Sequence, residues 1–175
     1  ASQTVENELN EQAMELKVGN LLDGDARAAF RNVSYDLRNY RHIAMDVHAE
    51  ALINEPLKDD DLNLFLRIGS DYTSNYYEYE VPLKLTAPGF YSNTDEGDRR
   101  SVWPRENSID INLSLFREVK LARDAALRNV AGQTVRDAYK EERDGKYITV
   151  VGHPNMGSVR VLMIGIRNPK RGPAL

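Results

Sequence analysis

An antiparallel β-sandwich is the fold this sequence predicts, and three observations predict it. Apolar residues recur with period two along most of the chain, which is the mark of strands that bury one face. Only one stretch changes to a helical period of three and four. Clusters of Gly, Pro, Asp and Asn separate the runs, as turns require. At 175 residues, with 41% hydrophobic and 29% charged residues, the chain has the length and balance of one domain with its own core.

Residues 1–10 are polar and are expected to form a flexible segment ahead of a single domain over residues 11–169, with residues 170–175 as a tail. The first alternation sets Met14, Leu16 and Val18 against Glu15 and Lys17, a first strand, and "LLDGDAR" then supplies an Asp-Gly turn. Val33, Tyr35 and Leu37 alternate in a second strand. Ile43, Met45, Val47, Ala49 and Ala51 alternate in a third, and Leu62, Leu64, Leu66 and Ile68 in a fourth. "SNYYEYEVPLKL" divides by parity: Tyr77, Tyr79, Val81, Leu83 and Leu85 share the apolar face, leaving Tyr76, Glu78 and Glu80 outward. Pro82 cannot donate to a ladder, so that strand is expected at a sheet edge or bulge.

Residues 87–107 are dense in Pro, Gly, Asp and Asn and form a long loop, of the binding or the mobile kind. Ile109, Ile111 and Leu113 make a short strand. Leu115, Val119, Ala122, Ala126 and Val130 then mark the one helix, with Asn112 or Ser114 as its cap and Gly132 after its end. Asp144-Gly145 is a hairpin turn. The apolar runs 147–151 and 159–166 suit central strands covered on both faces. Seven to nine strands and one helix make the expected fold mainly β, a jelly-roll sandwich of the galactose-binding-like type with the helix at one end.

Composition excludes several functions. With 23 basic and 27 acidic residues the net charge is −4, so no general positive field draws nucleic acid or anionic lipid. The absence of cysteine removes disulfides, thiolate nucleophiles and zinc–thiolate sites. No run reaches the roughly 18 apolar residues of a membrane span. The N-terminal residues lack a signal peptide's basic start and apolar stretch, and a piece of a longer protein is the expectation.

His42, Asp46, His48 and Glu50 share one strand face. Residues two apart on a strand stand nearly 7 Å apart, at a rise of about 3.3 Å per residue, so an ion there needs a second strand or loop to close the site, and a solvated strand face is the simpler reading. The loops "LLDGDAR" and "NTDEGD" resemble calcium loops without the full spacing, and turn chemistry explains their residues equally well. Asp23, Asp25 and His48 are the metal candidates, and a structural calcium is the only cofactor left open. No G-x-S-x-G is present, and nothing in the sequence sets a His near Ser70, so no catalytic residue is assigned and a non-enzyme is expected. Tyr72, Tyr76 and Trp103 fall at strand ends or loops and are the ligand-binding candidates, with Phe90 and Tyr91 nearby in sequence. Trp103 serves equally as a loop anchor tucked into the core.

The stretches "DLRNYRHIAMDVHAEAL", "LNLFLRIGSDYTSNYYEYEVPLKLT", "VWPRENSIDINL" and "ITVVGHPNMGSVRVLMIGIRNP" together resemble the SprA/Sov family. These are very large outer-membrane translocons of the type IX secretion system of Bacteroidota, tied also to gliding motility. The resemblance runs from about residue 11 to 169. It implies one non-catalytic module of a larger chain in the cell outer membrane. Its partners are the remainder of that chain, accessory secretion proteins and secreted cargo. The module is expected on the extracellular side, with the periplasmic face open. The strands here turn charged residues outward, unlike lipid-facing barrel strands, so the module itself is not expected to span the membrane. The competing reading is a carbohydrate-binding-like jelly roll whose aromatics stack on a surface glycan.

Overall fold

The computed structural model describes residues 13–52 and 54–169. The segments expected to flank the domain, 1–10 and 170–175, lie outside the described residues. Among the described residues eight strands form two antiparallel sheets. The larger contains β1 (Ala26–Tyr35), β3 (Asn63–Gly69), β4 (Tyr76–Pro82), β6 (Tyr139–Arg143), β7 (Lys146–Val151) and β8 (Val159–Arg167). Their order across the sheet is β1-β8-β3-β4-β7-β6. The smaller pairs β2 (His42–Met45) with β5 (Ile109–Asn112). Together with helix α2 (Ser114–Leu127) it packs on one face of the large sheet, so the sandwich is unequal in its layers.

Parity builds the core between them. Leu64, Leu66 and Ile68 stand opposite Val81, Tyr79 and Tyr77, and Ile148 and Val150 continue the same face on β7. Ile109 and Ile111 of β5 and Phe116 and Val119 of α2 close on it from the other layer. The rings of Tyr77 and Phe116 stack with centroids 5.0 Å apart. Burial pushes the Tyr77 phenol up to about 12. Arg123, buried on α2, donates from Nη1 to the Gly152 carbonyl at 2.6 Å, which fixes the helix to the end of β7.

Several elements form as the sequence predicts. Asp144 and Gly145 both take positive φ, 51° and 73°, which is the two-residue turn that the β6–β7 hairpin needs. The Asn112 side chain accepts from the Ser114 N–H at 3.0 Å as α2 begins. Other elements differ. Residues 13–21 alternate in sequence yet pair with no strand among the described residues. The alternation over residues 43–51 gives a strand only to Met45, where its partner β5 runs out. Pro82 ends an interior strand rather than an edge. Pairing of β4 with β7 has already stopped at Glu80, so the missing N–H leaves no gap in that ladder.

The long 87–107 connection is partly ordered into helix α1 (Glu96–Val102) and a 3₁₀ turn at Arg105–Asn107. Asp95 caps α1 by accepting from the Asp98 N–H at 2.9 Å. The wholly buried Asn107 acts as a surrogate strand, accepting from the Lys84 N–H at 2.7 Å and donating to its carbonyl at 2.8 Å.

Candidate functional site

The second face of the large sheet holds the densest chemistry in the molecule. Alternation turns Asn63, Phe65 and Arg67 of β3 to that side, and the register sets Arg67 opposite Glu78 and Phe65 opposite Glu80. Asn63 is also opposite Arg167 of β8. The carboxylates expected outward in solvent are instead 3% (Glu78) and 1% (Glu80) exposed. They are buried under cations. Arg67 donates to Glu78 from Nε and Nη2 at 2.9 and 2.7 Å, and Arg167 Nη1 reaches Glu78 at 2.6 Å and Glu80 at 2.9 Å. Lys140 Nζ and Asn63 Nδ2 each donate to Glu80 at 2.8 Å.

Burial alone would raise the Glu80 carboxyl, but the bonds from Lys140 and Asn63 and the charge of Arg167 outweigh it and hold the group below its usual range. Burial likewise opposes the charge on Arg167, and the two carboxylates more than restore it. Three cations against two carboxylates satisfy the network from within. The same cations cover aromatic faces: Arg167 lies 4.6 Å from the Phe65 centroid and Lys140 4.5 Å from that of Tyr147.

Two of the three aromatic candidates meet here. The Arg67 guanidinium lies 3.8 Å over the Tyr76 ring and donates from Nη1 to the Tyr72 carbonyl. Tyr72 meets Phe30 edge to face at 4.9 Å, and its hydroxyl donates to Asn32. Asp71 organises the loop between β3 and β4. One of its oxygens accepts from the N–H groups of Thr73, Ser74 and Asn75, and the other from the Asn75 amide. Burial works against its charge, yet these donors win and bring it down to about 2.

Trp103 lies apart from this face. It is 48% exposed, 5.9 Å from the His48 ring, and lines an open cleft of about 610 Å³ with Asp59, Lys84, Arg100, Pro104, Arg105 and Glu106. Phe90 is fully exposed at the start of the same connection. His48 Nδ1 is 2.9 Å from the Val102 carbonyl, so it carries the proton and donates there. Thr86 Oγ1 lies 3.2 Å from that same nitrogen and donates its own proton to the Ser101 carbonyl at 3.0 Å. Nδ1 thus offers Thr86 no lone pair, and the other ring nitrogen, Nε2, lies 3.7 Å from Glu50.

The metal candidates stay separate. Asp23 is exposed in the turn before β1, Asp25 pairs with Arg27 at 3.8 Å, and His48 is committed to the end of α1. Among the described residues no group of three or more His, Asp or Glu is gathered as an ion would need. Sequence reasoning missed Arg67, Arg167, Lys140 and Asn63. The one available signal was a cation of opposite parity inside an apolar strand, in "LNLFLRIG".

The family described as motility related/secretion protein, SprA_N, matches residues 1–174. The chain belongs to the SprA_N family. No curated protein matches it. The family relation fits the resemblance seen in "RIGSDYTSNYYEYEVPL", whose residues form the β3–β4 hairpin and its Asp71-bound loop. In this SprA_N member, those residues supply core tyrosines on one face and the ion network on the other. Among the described residues no helix is long and apolar enough to cross a membrane.

Proposed function

We propose that this chain is a non-catalytic structural and interaction module of a large outer-membrane translocon that serves type IX protein secretion and gliding motility. The family match along residues 1–174 is the observation that carries the reading. The architecture supports it. A sheet locked by internally satisfied ion pairs is a stiff surface, suited to holding position beside moving polypeptide. In this reading the module lies on the extracellular side of the outer membrane. It contacts the rest of its own chain, accessory secretion proteins and cargo in transit, and it needs no cofactor. An in-frame deletion of residues 13–169 from the parent chain tests it. Cargo release and surface spreading should fall while the barrel still reaches the membrane; unchanged release would refute the proposal.

A second reading, glycan binding, rests on Trp103 alone, since Arg67 already covers the Tyr76 ring. Its half-exposed indole stands in a cleft beside Lys84, Arg100 and Arg105, where a sugar face can stack and an acidic group can pair. A glycan array decides it: a specific sugar lost on Trp103→Ala supports this reading, and a blank array removes it.

A further inference from the structure

The two edges of the six-stranded sheet are built differently. β6 is five residues long, carries both charge signs, and pairs them internally, with Arg143 on Glu141 at 2.6 Å and the Tyr139 hydroxyl on the same carboxylate. Short strands with mixed charge are how proteins blunt an edge. β1 is regular from Ala26 to Asn32 and shifts register only beyond it, between Asn32 and Tyr35. It is ten residues long, against a usual strand of about five or six, and contains no proline and no carboxylate. β8 is its neighbour in the sheet, and among the described residues no strand pairs with its other side. Alternate N–H and C=O groups of an antiparallel edge strand point away from the sheet, ready for another strand.

The side chains of β1 say what that strand must look like. On one face, Arg27 and Arg31 flank Ala29. Arg31 is exposed and meets no carboxylate among the described residues, and Arg27 has one long carboxylate contact, to Asp25 at 3.8 Å, besides its bond to the Ala26 carbonyl. Two positive charges on one strand of a chain whose net charge is −4 are a local reversal of sign. On the opposite face, Phe30 is 64% exposed between Ala28 and Asn32, with Tyr72 against its ring. A strand laid beside β1 therefore meets cations on one side and an aromatic ring with alanine on the other. Side chains that alternate carboxylate and apolar match both.

We propose that β1 is the acceptor edge for strand addition by an extended segment of a partner protein in which acidic and apolar residues alternate. Main-chain bonds supply the affinity, and Arg27, Arg31 and Phe30 select the sequence and its facing. The inference deepens the interaction-module reading, yet it is tested on the purified 175-residue chain, so a failure of transport in cells leaves it standing and its own failure leaves the transport reading standing.

The probe is a capped seven-residue peptide of alternating valine and glutamate. The control has the same composition in two blocks, with the same charge and no alternation. The alternating peptide is expected to bind, to slow amide exchange along β1, and to bind roughly tenfold more weakly to the Arg27→Glu/Arg31→Glu double variant. That variant should keep the wild-type melting temperature, since both side chains are exposed, and should gain affinity for a valine–lysine peptide. Phe30→Ser should weaken the alternating peptide, with only a small drop in the melt from the lost Tyr72 contact. Equal binding of block and alternating peptides, protection of amides elsewhere than β1, or no binding at millimolar peptide would each overturn the proposal.

Discussion

Nη1 of Arg167 lies 2.6 Å from Oε1 of Glu78, joining residues 89 apart in the chain across an intervening strand. The same nitrogen is 2.9 Å from Glu80. One guanidinium on β8 thus neutralises both buried carboxylates of β4. Removing it leaves two negative charges, each almost without solvent, to share Arg67 and the partly exposed Lys140.

Arg167→Ala is therefore expected to destabilise the fold by about 3 kcal/mol, the usual scale when a buried pair loses one partner. Arg143→Ala, on a more exposed pair of similar length, should cost far less. Urea titration of both variants separates the two, and equal losses would contradict the burial argument.

Acid should weaken the protein through carboxylates whose folded-state affinity for protons is depressed. The donors around Asp71 bring its carboxyl down to about 2 in the fold, below the ordinary aspartate value of about 3.9. Its stabilisation is complete above the unfolded value and is lost as pH falls through the interval between them. Glu80 acts in the same direction. Asp36 is also brought to about 2, by its bonds from Arg38, but it is fully exposed, so screening reduces its effect. Stability measured from pH 5 to pH 2 should decline, and Asp71→Asn should flatten the lower part of the curve. An unaltered curve in that variant would assign the acid sensitivity elsewhere.

Gly152 takes a positive φ of 65°, and a Cβ there would stand 1.9 Å from the Ser74 carbonyl oxygen. Backbone oxygen cannot yield as a flexible side chain can. Gly152→Ala is expected to lower stability by at least about 2 kcal/mol. It should also expose the 71–75 loop to proteolysis, because the Asn75 side chain accepts from the neighbouring His153 N–H at 2.8 Å. A melting temperature within a degree of wild type would argue against this clash.

The Tyr77–Phe116 stack is the main aromatic link between the sheet and α2. Phe116→Ala should cost about 3–5 kcal/mol, as for other fully buried Phe truncations. Combined with Tyr77→Ala, the two losses should fall short of their sum, since each ring already loses the other in the single variant. A double-mutant cycle under guanidinium measures the shortfall.

The parts of the fold legible in sequence are those fixed by local rules. The parity of Tyr77 and Tyr79, the Asp144-Gly145 turn and the period of α2 need only a few consecutive residues, and each formed. The burial of Glu78 and Glu80 depends instead on which strands lie beside β4 and in what register. Arg67 and Arg167 come from strands on the same side of it, and no local pattern specifies that order. The failed strand at residues 13–21 and the early end of β2 at Met45 follow the same logic. Alternation supplies a strand's faces, but its length comes from its partner. Trp103 was legible as a loop aromatic, while its seat beside His48 required the fold of α1.

β1 and β8, the first and last strands among the described residues, are neighbours, and the Gly24 N–H donates to the Asn168 carbonyl at 2.9 Å where the pair closes. The polypeptide enters and leaves the folded unit about one strand spacing apart, roughly 5 Å. A host loop could carry such a unit without being stretched. Tension applied at those two points would meet the β1–β8 ladder from its open end, parting it one rung at a time rather than shearing all rungs together. The unit is mechanically weakest at its own doorway, and the edge it would expose first is β8, the strand that carries Arg167.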